Sequence, residues 1–251
     1  RNVTYRASEV AKVEKNDETG IFDREKAIAR WEARDQELTE KTGLDHARRK
    51  EVKRLIYLLQ RPDAALRKET REALIAIHAE VDIYPFLEYS VHELSHRLSP
   101  WVLEAMYYVA PGRVVPVLRE YTQHEYYGTR AKAIELLATL NNKNDVPLIA
   151  RGLADATVGV KTQAAYTLSI MKAREATPAL IELLASPDRP VRSAAQQALE
   201  RMWPVEGTDK RPGTAEEWAA FWEGKAGSYP SPILLAKLEP LIAPEDEFQD
   251  E

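Results

Sequence analysis

The sequence predicts an all-α protein: a right-handed α-solenoid, an α-α superhelix, of about five helix pairs closed by helical caps. Three observations predict it. Pro85, Pro116, Pro147 and Pro178 stand 31 residues apart, and self-similarity at a period of 20–50 residues is the signature of a stacked array. Apolar positions keep the same period: Thr129, Ala133, Leu137 and Leu140 recur as Val160, Ala164, Leu168 and Met171, then as Val191, Ala195, Leu199 and Met202. Within each period the apolar residues fall at i, i+3, i+4, as in Leu180, Leu183 and Leu184, which is one face of a helix. Neither helix of a pair can bury such a stripe alone, so neighbouring pairs must share one core.

Residues 1–22 are rich in polar and small side chains and read as an extended arm without a core of its own. The triplet Asn2-Val3-Thr4 in that arm matches a glycosylation sequon, a pattern too short to carry weight. A capping helix is expected over 23–43, with Asp23 at its start, a stripe of Ile28, Trp31 and Leu38, and Gly43 as a left-handed stop. The repeat array then spans 44–203. Its first pair, about 44–78, carries a basic run in which Arg48, Arg49 and Lys53 are candidates for docking an acidic partner. The plainer reading is a solvated face interleaved with Glu51, Glu69 and Glu72.

Pairs two and three, about 81–141, concentrate aromatic residues. Tyrosine and tryptophan are favoured at interface hot spots, and Tyr89, Tyr107, Tyr126 and Tyr127 are the candidate partner-binding residues of this region. Each proline is expected in a first helical turn, where the missing N–H costs nothing, and Thr177 is expected to cap the helix begun by Pro178. Residues 204–251 read as a C-terminal cap: a capping box at Thr214 to Glu217 ahead of Trp218, Phe221 and Trp222, then a short helix from Ser231-Pro232 and an acidic tail, 244–251.

The segment Ser186-Pro187-Asp188-Arg189-Pro190-Val191-Arg192, followed by Ala194, Ala195, Ala198 and Leu199, resembles the HEAT-repeat family in its bacterial, phycobiliprotein-lyase-type form. The same pattern stands at Asp63, Leu66, Arg67, Ala73 and Leu74, and at Asp155, Val160, Lys161, Ala164 and Leu168. The resemblance implies that Asp63, Asp155 and Asp188 form a structural ladder with Arg67, Lys161 and Arg192. It also implies a binding scaffold in place of an enzyme, and supports the tryptophan-bearing helix as a lid.

One motif points elsewhere. His92-Glu93-Leu94-Ser95-His96 matches H-E-x-x-H, which on a helix sets two imidazoles on one face for zinc with a glutamate to activate water. It resembles the zinc metalloprotease motif, with His92 and His96 as ligands and Glu93 as base. Its setting opposes that role: Arg97 brings a charge, Pro100 follows closely, and the 31-residue frame puts His96 in a turn. A zinc hydrolase is the alternative function, and metal analysis with His96→Ala discriminates it.

Charge narrows the partners. Residues 1–203 carry 31 basic against 29 acidic side chains, and 204–251 carry 4 against 11. A nearly neutral array is a poor match for a phosphate backbone, which ranks the DNA glycosylases among HEAT-like folds below the zinc alternative. No apolar run is long enough to span a membrane. The absence of cysteine removes disulfides and thiolate chemistry and suits an extracytoplasmic protein. A first residue other than methionine implies a cleaved signal peptide, a tag or a further segment upstream. The expected function is therefore a scaffold or accessory subunit that binds other proteins, without a cofactor, and self-association of the basic first pair with the acidic tail is one form of it.

Overall fold

A computed structural model describes residues 24–93, 97–204, 212–229 and 231–241. The N-terminal arm, Asp23, His96 and the acidic tail lie outside them. All regular structure among the described residues is helical. The contacts divide into two compact blocks, residues 1–90 and 91–251.

In the first block, helix α1 (Arg24–Thr42) stops at Gly43, whose φ of 71° is the left-handed stop expected of glycine. Helices α2 (His46–Leu59) and α3 (Ala64–Glu80) pack as an antiparallel pair. Each starts on an aspartate: Asp45 accepts the N–H of Arg48, and Asp63 accepts those of Ala65 and Leu66. Val52, Ile56, Leu59, Leu74 and Ile77 form its core. Asp63 is thus spent on its own helix. Helix α4 (Tyr84–Glu93) follows, burying Tyr84, Phe86 and Leu87; its residues from Val91 on, His92 among them, belong to the second block.

The second block is a stack of helix pairs, the arrangement of an α-solenoid. Its helices are α5 (Ser99–Val109), α6 (Pro111–Tyr121), α7 (Tyr127–Leu140), α8 (Val146–Arg151), α9 (Val158–Ile170), α10 (Thr177–Leu183) and α11 (Arg189–Met202). The second helices α5, α7, α9 and α11 pack one on the next, and the first helices α6, α8 and α10 pack on the second helix of their own pair. Ala133, Leu137, Val160, Ala164, Leu168, Val191, Ala195 and Leu199 are buried, so the repeated apolar positions are the shared interior.

The repeat extends to polar contacts. Lys143 Nζ donates to Met171 O, and 31 residues on Arg174 Nε donates to Met202 O at 3.3 Å. In these two pairs a cation at the entry to the first helix therefore caps a last carbonyl of the second, where the helix dipole favours positive charge. Asn141 and Lys172, again 31 apart, both take φ near 50° where α7 and α9 end.

Three expectations need correcting. Pro116 lies inside α6, because Pro111 opens that helix earlier; Pro147 and Pro178 do sit in first turns. Thr177 is not a cap. Its buried hydroxyl donates to Arg174 O and accepts the indole N–H of Trp203, which ties α10 to the end of α11. Residues 231–241 form no α-helix beyond a short 3₁₀ turn at Leu235–Lys237. They run as a strap along the first helices. Ile233 donates to Glu175 O (2.8 Å) and accepts from Ala179 N (3.2 Å), taking the place of the i, i+4 bond those two groups would make together. Leu235 N donates to Glu182 Oε1, and Arg151 holds the carbonyls of Glu239 and Pro240. Leu241 is buried against Gly152, where a Cβ would come within 2.9 Å of Ala164 and Ile134. Backbone groups satisfied by neighbouring helices leave the leucines of this segment no need of a helix of their own.

Helix α12 (Ala215–Glu223) closes the array. Its capping box is formed by Thr214 and Glu217 as expected, and Trp218 and Trp222 are buried. Trp218 N–H donates to Gln196 Oε1, and Phe221 meets both Trp203 and Trp218 edge-on.

Candidate interaction surface

The turns between first and second helices organise the surface of the second block. Arg130, at the start of α7, donates through one nitrogen to His124 O and Glu125 O; Arg192, two periods later, donates in the same way to Ser186 O and Pro187 O. Arg130 goes further and grips both oxygens of Asp155 at 2.9 Å, with neither side chain exposed at all. This buried rung joins pair three to pair four. Of the ladder implied by the resemblance, this one rung is seen, and with a different member: Arg130, at the repeat position of Lys161 and Arg192, is the partner of Asp155.

Of the expected binding residues, the structure places Tyr126 and Tyr127 together at the entry to α7, rings 5.0 Å apart, with Tyr127 42% exposed. Tyr107 lies half-buried against Tyr108, whose hydroxyl donates to Glu104. In the first block, Tyr89 is half-buried under the ammonium of Lys41. Lys53 is exposed, and Arg48 is held by Glu51 and Glu80. Arg49 faces inward: only 5% exposed, it binds Asp35, Thr39 and the carbonyl of Leu44 and so clamps α1 to α2. It is withdrawn from the docking candidates, because a buried guanidinium with its donors engaged has nothing to offer a partner.

Two further residues stand out on α9. Tyr166 and Ile170, one turn apart, are each 48% exposed, and Arg201 of α11 lies over the Tyr166 ring at 5.0 Å. In the repeat frame Tyr166 occupies the place of Glu135 and Gln197, and Ile170 that of Thr139 and Arg201. An aromatic and an aliphatic side chain at outward positions that are polar in the neighbouring pairs was the available signal.

His92 stands in the last turn of α4 with Nδ1 2.9 Å from the hydroxyl of Tyr121. The Tyr121 ring stacks on His124 at 5.3 Å, and its phenol is pushed up to about 12, chiefly by burial and then by the charge of Glu120. His92 is therefore engaged by an aromatic cluster. Among the described residues, no three His, Asp or Glu side chains gather as a metal site.

Residues 113–200 match the family model of HEAT repeats. This stretch carries HEAT repeats. They occupy α6 to α11, the stretch where the polar contacts repeat with the period. No curated protein matches the sequence. A crystal structure of an engineered protein is similar over 61% of this chain and 79% of its own, at 17% identity and a TM-score of 0.42, an overlap too loose to carry an argument. HEAT repeats are commonly scaffolds that mediate protein interactions. No helix among the described residues is long and apolar enough to cross a membrane.

Proposed function

We propose that this protein is a non-enzymatic scaffold or accessory subunit that holds other proteins along the second-helix side of its HEAT repeats. The observation that carries the reading is the exposure of Tyr166 and Ile170 on α9. Both stand on the outward face of a helix whose inward face is already closed by Val160, Ala164 and Leu168. A rigid aromatic with an aliphatic neighbour offers a partner a low-entropy anchor, and the guanidinium over Tyr166 adds a polar rim. Tyr126 and Tyr127 extend the surface at the entry to α7, and Tyr107 belongs to the same series. Tyr89, Arg48 and Lys53 form a separate candidate patch in the first block, with the acidic tail of a second copy as one partner of fitting charge.

A photo-crosslinking residue at position 166 tests this directly. Expressed in its native host, the protein should yield one discrete crosslinked partner from position 166 and none from exposed Glu32. The double variant Tyr166→Ala, Ile170→Ala should release that partner with its circular dichroism unchanged. Equal crosslinking from both positions, or full retention by the double variant, refutes the surface.

A further inference from the structure

The turn before each second helix in the HEAT repeats is built on one acceptor. Asp155 Oδ1 accepts the N–H of Thr157 at 2.9 Å, and Ser186 Oγ accepts the N–H of Asp188 at 3.3 Å. At the same position one period earlier, His124 Nδ1 accepts the N–H of Tyr126 at 3.0 Å. Three chemically different side chains thus perform the same task 31 residues apart.

They differ in what a proton does to them. A hydroxyl keeps its acceptor at any pH of interest, and the Asp155 carboxylate is locked in the buried rung with Arg130. An imidazole accepting at Nδ1 must be neutral with its proton on Nε2, and an imidazolium has no acceptor left. Histidine is also the side chain that ordinarily changes charge between about pH 5 and 8.

We infer that the turn Thr122–Tyr126 is a proton-sensitive latch: protonation of His124 expels the Tyr126 N–H, loosens the entry to α7 and displaces the Tyr126–Tyr127 pair. Its effect on partner binding rests on the surface proposed above, whereas the latch itself does not.

The groups around His124 set the balance. On its own segment the carboxylates nearest in sequence are Glu120 and Glu125, whose charge would favour a protonated ring. Arg130 of α7 opposes it, through the bonds it donates to the carbonyls of His124 and Glu125. The stacked Tyr121 of α6 remains a neutral phenol, and His92 of α4 reaches the cluster through that phenol. Asp155 of the next turn is matched by Arg130. The sign follows from the lost acceptor: the folded turn holds the neutral ring while an open turn takes up the proton, so the turn weakens as pH falls through the histidine range.

The test uses NMR on the full chain with no partner present, so failure of the binding surface cannot be confused with failure of the latch. In the wild type, the Tyr126 amide shift should follow a one-proton transition between about pH 5 and 8. Its hydrogen exchange, corrected for the intrinsic rate, should rise about tenfold on the acid side, the scale of one lost hydrogen bond. His124→Ser installs the acceptor used at position 186 and should abolish the transition with the fold intact. His92→Gln should leave the transition in place. The inference is overturned by a flat wild-type profile, by a transition that survives in His124→Ser, or by one that disappears in His92→Gln.

Discussion

The two sides of the second block are finished differently. Along the first helices, α8 and α10, the chain covers itself: the 231–241 strap satisfies backbone groups at Glu175 and Ala179, uses Glu182 and Arg151 as clasps, and buries Leu241 beside Gly152. Along the second helices the Arg201 guanidinium lies over Tyr166 on the outward face of α9, and Tyr166 and Ile170 are left half exposed. The same repeated unit thus has one side spent on intramolecular closure and another open to solvent. An exposed tyrosine means little alone, since most proteins carry many apolar surface atoms. It gains meaning beside a neighbouring side where the chain has supplied its own cover.

The contrast can be broken first at the seam between the sides. Asp155→Ala leaves Arg130 buried and uncompensated and should cost about 3–5 kcal/mol, read as a fall in urea midpoint; a loss below about 1 kcal/mol would mean that water reaches the rung. On the covered side, Leu241→Ala should cost about 2–3 kcal/mol for a buried leucine, and the loss should appear as faster exchange at Ala179 and Leu235. On the open side, Ile170→Ala and Arg201→Ala should each change stability by no more than about 0.5 kcal/mol, the range of surface substitutions. A larger loss there, measured in the same urea series, would show that the face is structural and would sharpen the contrast away.

Much of this fold was legible in the sequence because the period is written in side chains that cannot be exchanged cheaply. Alanines at positions 133, 164 and 195 mark the interior, and Thr214 with Glu217 announces its capping box. The misread elements share a cause: partners distant in sequence. Ser231-Pro232 with four leucine or isoleucine residues looks like a helix until Glu175 and Ala179 offer their backbone groups to Ile233. Arg49 sits in a basic run that looks solvated, yet Asp35 and Leu44 draw it inward. Of the candidate surface, the Tyr126–Tyr127 pair was visible as aromatic excess. Tyr166 and Ile170 become visible only against the period, where Glu135 and Gln197 stand at the place of the first and Thr139 and Arg201 at that of the second.

The strap also changes how the molecule should come apart. In an array of repeats each module touches its neighbours, so an end normally unravels one module at a time. Arg151 reaches Glu239 across 88 residues of chain, which fastens the final module to the one before it. Opening at that end must then release both together, and forming it must wait for a long loop to close, so this terminus should be slow to assemble and slow to fray.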